Sequence, residues 1–574
     1  MYEQNAPDEA FGFGVVFSAR TMSELWKNDQ ETHARIVAAS VAVSDMELRH
    51  PRATLRYGGF DFSSISRREL LLILQEQAAE AGATLHFGHP AAPGSIDEAD
   101  VVVYADGANS SHRDARPGRF GTTVRHGASP YMWLGTHAPF DAATFSFVET
   151  ENGHFAAHAY PYADGMATVV IECDPGTWKA SGMDRTGDFS RHSGGSDEEA
   201  LGHLGELFAE HLGGHELIGN RSRWSTFRTV HNERWSDGNA VLLGDAAHTA
   251  HFTVGSGTKM AMEDAIALAA ALRRNTDPGS AFAEYERERR GPVARTQELA
   301  EPSMRWWETF GRRLHMAPAQ FGLHFMTRTS ALSYEGMRRR FPDRVDEAEA
   351  AYRTSGGAVG AELVAAAGTV PQLSAVAAPL LMGSVRLRNR LVEVVPEACG
   401  DPAAAVRAAE ARGATLVLAR EARPGAGPQG QPGHQPPVVV GRLVPPDPQA
   451  ADLEAVGRPP LFAEMECPLA DEWSPAGDDL MAAVRALVAR GVEGVLLTTG
   501  AGQPPGWHRL LGHAGRIRTE AGATVAVTAP GGWAPDPHGT SAADSWPTRI
   551  HLALITGRID LIASAPPAGT GATP

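Results

Sequence analysis

Residues Gly244 to Asp264, GDAAHTAHFTVGSGTKMAMED, constrain this chain more than any other stretch of similar length. The apolar run Ala240-Val241-Leu242-Leu243 precedes them and reads as a buried strand. A periodic helix through Met260, Ile266, Leu268, Ala269 and Leu272 follows, starting just past Gly255-Ser256-Gly257. The strand thus carries a carboxylate, Asp245, to a glycine-punctuated turn, and the turn opens into a helix. Such a turn lets a ligand lie against bare backbone, with N–H groups and the positive helix end facing it. A corner of this kind belongs to an α/β sheet.

An aspartate at a strand tip accepts hydrogen bonds from a polyol. With the helix start beside it, these are the parts that hold the ribityl chain and pyrimidine edge of a flavin. GDAAH followed by GxG and ED-A resembles the second flavin motif of the single-component FAD-dependent aromatic hydroxylases. The resemblance implies that Asp245 binds the ribityl hydroxyls and that Gly244, Val254, Gly255, Ser256, Gly257 and Thr258 line the flavin. Phe252 stands where that family usually has proline, and Ser256 and Lys259 replace its Gln and Asn. These departures look like the branch that acts on aryl-CoA thioesters. A ligand-free strand–turn–helix corner is the plain alternative, since any motif can match by chance.

Asp100-Val101-Val102-Val103-Tyr104-Ala105 reads as another strand and leads into Asp106-Gly107-Ala108-Asn109-Ser110-Ser111-His112-Arg113. Alone, Asp-Gly after a strand is a turn. The stretch resembles the family's DGxxSxxR motif, which implies roles for Asp106, Gly107 and Arg113 near the pyrophosphate and the nicotinamide cofactor. Arg113 would offer a cation to a phosphate. Ser66-Arg67-Arg68-Glu69-Leu70 resembles the family's RxxL helix start, where Arg67 would approach the flavin; a surface arginine beside a helix capped by Ser66 is the alternative. The family's GxGxxG cradle is not found in the residues that open this sequence, and Glu3 falls where the family places the acid that holds the adenosine ribose. A start assigned too late is the favoured explanation, and a truncated variant with weakened FAD binding is the other.

The 574 residues suggest two or three domains, and with 43% hydrophobic and 21% charged residues they can bury a large core. A net charge of -17 argues against nucleic acid or an anionic membrane as partner. Cys173, Cys399 and Cys467 are too few and too scattered for a disulfide framework or a metal site. No signal peptide or membrane-spanning run is visible, so a cytoplasmic protein is expected.

The expected architecture is an α/β FAD-binding, Rossmann-like three-layer domain with an inserted substrate-binding β-sheet, followed by a truncated TIM-barrel-like domain. Residues 1–115 and 231–300 form the FAD-binding part, 116–230 the sheet, 301–353 a helical extension, 354–376 a linker and 377–574 the barrel. Alternation in Ala143–Val148 and Gly165–Cys173 reads as strands with one buried face. Arg305-Trp306-Trp307, Arg312-Arg313 and Arg338-Arg339-Arg340 suggest a clasp for the phosphates and adenine of coenzyme A, against the alternative of a solvated helix face.

Pro379–Val392, PLLMGSVRLRNRLV, resembles the opening of the old-yellow-enzyme barrels, and Val492–Leu497, Arg516–Val527 and Arg549–Ile562 fit later barrel turns in order. About 200 residues remain, where a barrel usually takes ~250. Pro/Gly-rich Arg423–Gly433 replaces its middle, no histidine pair or proton-donating tyrosine is recognisable, and Ala563-Ser564-Ala565-Pro566 stands where that family has a phosphate-contacting arginine. A degenerate unit is therefore expected, with FMN doubtful and a role in packing or homodimer contact.

Together the resemblances imply a monooxygenase. NADH or NADPH reduces FAD, and one atom of O2 is delivered to an electron-rich ring, while the protein positions the reactants and excludes water. Salicyloyl-CoA hydroxylated at C5 fits best and 2-aminobenzoyl-CoA is the alternative; a non-catalytic relic or an NADH oxidase are the competing readings. His251 and His158 are candidates for a base, each with a structural role as the alternative, and His248 is expected to order the turn.

Overall fold

The computed structural model describes residues 1–355, except 97, 117, 186–194 and 330, and beyond them short segments between 380 and 564. The chain divides into two compact units, Met1–Leu314 with Arg328–Ala331, and His315–Thr327 with Leu332–Pro574.

The first unit opens with β1 (Gly14–Ser18), α1 (Ala19–Asn28), α2 (Gln30–Ala38), β2 (Val41–Val43), β3 (Met46–His50), β4 (Ala53–Tyr57), β5 (Phe62–Ser66) and α3 (Arg67–Glu80). Then come β6 (Val102–Tyr104), α4 (Ser111–Asp114), β7 (Thr122–Thr136), β8 (Ala143–Thr150), β9 (Gly153–Ala163) and β10 (Met166–Cys173). After α5 (Pro175–Ala180) and α6 (Glu198–Leu207) follow β11 (Leu217–Ile218), β12 (Ser225–Asn232), β13 (Ser236–Asp237), β14 (Ala240–Leu242), α7 (Gly257–Arg274) and α8 (Pro278–Glu308).

The two strands expected to bear the motifs are neighbours. β6 and β14 run parallel, with Val102 opposite Ala240 and Tyr104 opposite Leu242, so both deliver their loops to the same end. Ligands of open α/β sheets bind beyond such carboxyl ends. Val102, Tyr104, Val241 and Leu242 pack with Met260, Leu268 and Ala271 of α7 and with Phe282 and Tyr285 of α8. The buried stripe of α7, Met260, Asp264, Ala267, Leu268 and Ala271, follows helical spacing and includes one carboxylate.

The large sheet has the order β11-β7-β10-β9-β8-β3-β4, with β12 also pairing to β7. It draws β3 and β4, residues 46–57, from a region the sequence reading gave to the FAD-binding part. The link is a parallel pairing of Met46–Arg49 with Ala143–Ser146, a long-range register that no local pattern discloses. β10 is buried on both sides from Ala167 to Cys173, not on one as the alternation suggested. Val169, Ile171 and Cys173 pack toward Leu201, Leu204 and Phe208, in and just beyond α6, in one core, while Thr168, Val170 and Glu172 face the opposite way.

β1, paired with β5 and through it with β2, is fastened to this sheet by a close approach. The Gly14 amide donates to Thr168 Oγ1 at 2.8 Å, and Tyr160 donates its hydroxyl to the Gly14 carbonyl at 2.9 Å. A Cβ on Gly14 would stand 2.5 Å from Tyr162 Cβ.

The second unit contains α9 (Pro318–Met326), α10 (Tyr334–Arg340) and α11 (Pro342–Ser355), a hairpin of β15 (Leu380–Met382) and β16 (Val385–Leu387), and α12 (Pro475–Ala489). Its remaining strands are β17 (Leu391–Val394), β18 (Leu416–Ala419), β19 (Val439–Val444), β20 (Leu461–Glu466), β21 (Gly494–Thr498), β22 (Thr524–Ala529) and β23 (Leu561–Ser564). These seven pair in parallel in chain order, and β17 closes the ring on β23. Of the linker expected at 354–376 the first two residues end α11, and its remainder, the Arg423–Gly433 segment and Ala565-Pro566 lie outside the described residues.

Gly14→Ala is expected to destabilise the protein by about 1–3 kcal/mol, because the methyl group must displace the Tyr162 stem. Urea unfolding of the variant beside the parent measures the difference.

Candidate active site

Between β14 and α7 the chain turns twice through the left-handed region, at Gly244 (φ +60) and Gly255 (φ +60). A Cβ on Gly244 would come within 3.1 Å of Ala261 Cβ, so glycine also lets the corner close on the helix. Asp264, fully buried on α7, holds the corner from below. Its Oδ2 accepts from the Gly244 amide (3.2 Å) and faces His248 Nε2 (2.7 Å), while Oδ1 accepts from Arg289 Nε of α8 (2.8 Å). Arg289 also meets Glu263 at 2.9 Å, and Glu263 pairs with Lys259 at the same distance. His248 therefore orders the turn through Asp264.

Asp245 is open to solvent, yet protein surrounds it on most sides. Desolvation holds its carboxyl above the ordinary aspartate range, against the pull of His248 and Arg67. Ser256 precedes α7 without capping it, and its buried hydroxyl has no partner. The Gly255 amide bonds back to Phe252, and the Val254 amide to His251. Thr258 stands in the first turn of the helix.

Opposite lies Arg67 at the start of α3, its amide bonded to the Phe13 carbonyl at 2.7 Å. Its guanidinium lies 5.9 Å from the Trp133 ring, and both Arg67 Nε and Trp133 Nε1 are buried without partners. Ser66 forms no capping bond, contrary to the surface alternative for this helix start. Three unsatisfied polar groups, Ser256 Oγ, Arg67 Nε and Trp133 Nε1, and an uncapped helix start suit a polar, planar ring with a polyol tail. These residues fit FAD: Arg67, Ser256 and the first amides of α7 would be the donors for the acceptors of an isoalloxazine.

At the tip of β6, Gly107 has φ +84 with open space at its Cβ. Burial of Asp106 is outweighed by hydrogen bonds from Ser110 and His112, so its carboxyl lies below the usual range. Its contact to His112 Nδ1 is 2.9 Å. Arg113 corrects an expectation. Its guanidinium is buried and donates to Ala246 O (3.1 Å), Ala108 O (2.9 Å) and Asp114 Oδ1 (2.9 Å), so it ties the two motif loops together instead of facing a phosphate. Glu3 is half-buried in a segment joined to His86, and its Oε1 accepts both the backbone and side-chain N–H of Asn5 at 2.8 Å.

The large sheet turns an aromatic face toward Phe252. Trp133, Val170, His158 and Phe145 form one cross-strand row, and Tyr131, Glu172, Ala156 and Phe147 the next. Tyr131 and Trp133 lie 4.8 and 5.7 Å from the Phe252 ring. Trp307 at the end of α8 covers His158 at 4.0 Å and stacks on Phe147 at 5.8 Å.

Trp306 and Trp307 are buried in this packing, and Arg305 is paired with Glu301 (3.1 Å) and Glu308 (2.8 Å). Arg338 is paired with Asp346. Arg305 is thus neutralised within α8 and Arg338 by the neighbouring α11, and the sheet takes both rings, so these four residues do not present the open cation–aromatic surface expected of a coenzyme A clasp.

His251 is buried, faces Thr253 Oγ1 at 2.9 Å, and is driven down to about 3 by burial, helped by His158, Arg305 and Arg328. A neutral imidazole this reluctant to take a proton is a poor base near neutrality. Two buried groups were absent from the sequence reading. Glu172 lies 2.6 Å from His158, and Arg328 donates to Ser303 Oγ at 3.1 Å beside the Trp307 ring. A carboxylate inside an otherwise apolar strand was the available signal for Glu172. Arg328 had none. Among the described residues no cluster of His, Cys, Asp and Glu could hold a metal ion, and no helix is long and apolar enough to cross a membrane.

Residues 94–300 match the FAD binding domain family. The chain is 41% identical over 351 residues to a salicyloyl-CoA 5-hydroxylase of Streptomyces sp, covering 60% of this chain and 68% of that protein. It belongs to the FAD-dependent aromatic monooxygenases. A 3-hydroxy-4-methyl-anthranilyl-(aryl-carrier protein) 5-monooxygenase of Streptosporangium sibiricum is 35% identical over 302 residues, covering 52% of this chain and 79% of that one. A protodeoxyviolaceinate monooxygenase of Chromobacterium violaceum is 29% identical over 336 residues, covering 58% and 87%. FAD is therefore the cofactor of this monooxygenase.

Asp245→Ala is expected to weaken FAD binding tenfold to about a hundredfold, the worth of hydrogen bonds to a charged group. Quenching of flavin fluorescence on titration reads this out. Asp264→Ala removes the acceptor shared by the Gly244 amide, His248 and Arg289 and leaves the buried Arg289 with Glu263 alone; it is expected to cost about 3 kcal/mol of stability, measured by chemical unfolding.

Proposed function

We propose that this monooxygenase hydroxylates the ring of an aryl-CoA thioester, with salicyloyl-CoA attacked at C5, using O2 and NADH or NADPH. The observation that carries the reading is the aromatic sheet face opposite the Asp245 corner. Tyr131, Trp133, Phe252, Phe145 and Trp307 make a mostly apolar aromatic wall, its Phe252 ring tilted to Tyr131 and edge-on to Trp133, suited to a benzene ring. The 41% identity to a protein named salicyloyl-CoA 5-hydroxylase supports the substrate, and the carrier-bound anthranilyl group in the second relative's name supports a tethered aromatic acid.

In this reading Asp245 holds the ribityl hydroxyls, with Gly244, Val254, Gly255, Ser256, Gly257 and Thr258 along the flavin. Arg67 approaches the ring, Asp106 and Gly107 lie near the pyrophosphate, and Glu3 near the adenosine ribose. When bound, FAD supplies oxygen activation; the protein orients the ring, keeps water out and steadies charge at the start of α7. The residues divide as 1–115 and 231–300 for FAD, 116–230 for the substrate sheet, 301–353 for a helical extension, 354–376 for a linker and 377–574 for a barrel. The parallel ring β17–β23 supports reading the last segment as a degenerate old-yellow-enzyme-like barrel without FMN, serving in packing or homodimer contact.

The FAD-loaded protein is expected to consume NADH or NADPH with salicyloyl-CoA and to give a product heavier by one oxygen atom, with 2-aminobenzoyl-CoA the weaker substrate. Hydrogen peroxide without product would identify an oxidase, and a protein that neither turns over nor retains FAD would identify a relic. Flavin released by denaturation should be FAD without FMN on chromatography.

A further inference from the structure

Next to Tyr131 on the same sheet face sits an acid–base pair to which the reading above gives no part in holding FAD. Glu172 of β10 lies directly across from Tyr131 of β7, and His158 of β9 is one row along. They are 1% and 6% exposed, and His158 Nε2 stands 2.6 Å from Glu172 Oε1. That contact is short but out of line for a regular hydrogen bond, and neither atom has another partner. Taking a carboxylate and an imidazole out of water is costly unless each is well paired. Here the two are brought together and left short of donors and acceptors, within an apolar wall of Trp307, Phe145 and Phe252.

The groups facing the pair come from several elements. Tyr131 stands beside Glu172, with Asp245 beyond it, and burial raises the tyrosine above its ordinary range. Arg328 is lowered to about 10 by burial, with Glu172 pushing it back up, so the guanidinium is the nearby positive charge. Arg305 of α8 and His251 stand further round, and His251 is neutral near neutral pH. Tyr131 pairs directly with Glu172 and Trp133 shares a cross-strand row with His158, so a ring lying on Tyr131 and Trp133 would have this pair as its neighbour on the sheet.

Resting on the aryl-CoA reading above, we propose that His158 and Glu172 take the proton from the substrate's ring hydroxyl as the substrate seats against the sheet. The O–H bond breaks, its proton passes to the His158–Glu172 pair, and its electron pair stays on the ring oxygen. That oxygen feeds electron density into the carbon para to it, which in salicyloyl-CoA is C5. One atom of O2 then becomes bonded to C5, and the other leaves as water with the two electrons of the nicotinamide. The hydrogen on C5 departs as a proton when the ring regains aromaticity. General base assistance of this kind is worth roughly 100-fold or more.

The test uses the full-length FAD-loaded protein with Glu172→Gln, which preserves shape, and His158→Gln as the second variant. Both are expected to retain FAD. Their kcat on salicyloyl-CoA near neutral pH should fall about 100-fold. The parent's rate should be level across neutral pH, whereas the variants' rates should climb with pH as the phenol ionises unaided. The absorbance of bound salicyloyl-CoA should show the phenolate band in the parent and the phenol band in E172Q.

Variants with the parent's rate and pH profile, or a phenol band in the parent complex, would overturn the proposal while leaving the substrate assignment standing. A parent that holds FAD but hydroxylates no aryl-CoA would remove that assignment and this inference together. If E172Q does not fold, the parent spectrum and H158Q decide.

Discussion

A single buried carboxylate, Asp264, sets the geometry on which the cofactor site depends. It lies on the apolar stripe of α7, where an unpaired charge would be prohibitive, and is tolerable because three donors converge on it. Those donors come from the turn at Gly244, from His248 four residues on, and from Arg289 on α8. The carboxylate thus clamps strand tip, loop and two helices at one point. Asp245 and the uncapped start of α7 are held at fixed spacing without bonding to each other. Such preorganisation matters where a flavin must be gripped by a few directional contacts.

The second constraint is dryness. Oxygen activated on a flavin decays in contact with water, so the reacting face needs apolar walls. The large sheet provides them through residues that alternate across β7, β8, β9 and β10, backed by Trp306 and Trp307. Within this wall the polar groups are few and placed by strand register, which fixes what they meet.

The corner and its strand were legible because glycine, aspartate and helical periodicity act locally: a turn through positive φ and a stripe of apolar side chains leave marks within a few residues. The two motifs marked β6 and β14 one at a time; that they are parallel neighbours came from the structure. What the sequence hid depended on distance. Arg113 looked like a phosphate ligand until its donors proved engaged by carbonyls of two loops. The Trp306-Trp307 pair looked like a surface clasp, but the sheet that buries it is assembled from residues over a hundred positions away. β3 and β4 joined that sheet by a parallel pairing with no local trace. Glu172 left a faint mark as a carboxylate in a buried strand, whereas Arg328 could be valued only once its neighbours were known.

The turn joining β9 to β10 at Ala163 and Met166 has an effect beyond its size. It sets which side chains of β10 stand beside Trp133 and His158, and side chains on a strand switch faces with every residue. A one-residue slip of β10 against β7 and β9 would send Glu172 into the core beside α6 and bring Ile171 to the aromatic face, whereas a slip of two would preserve the faces.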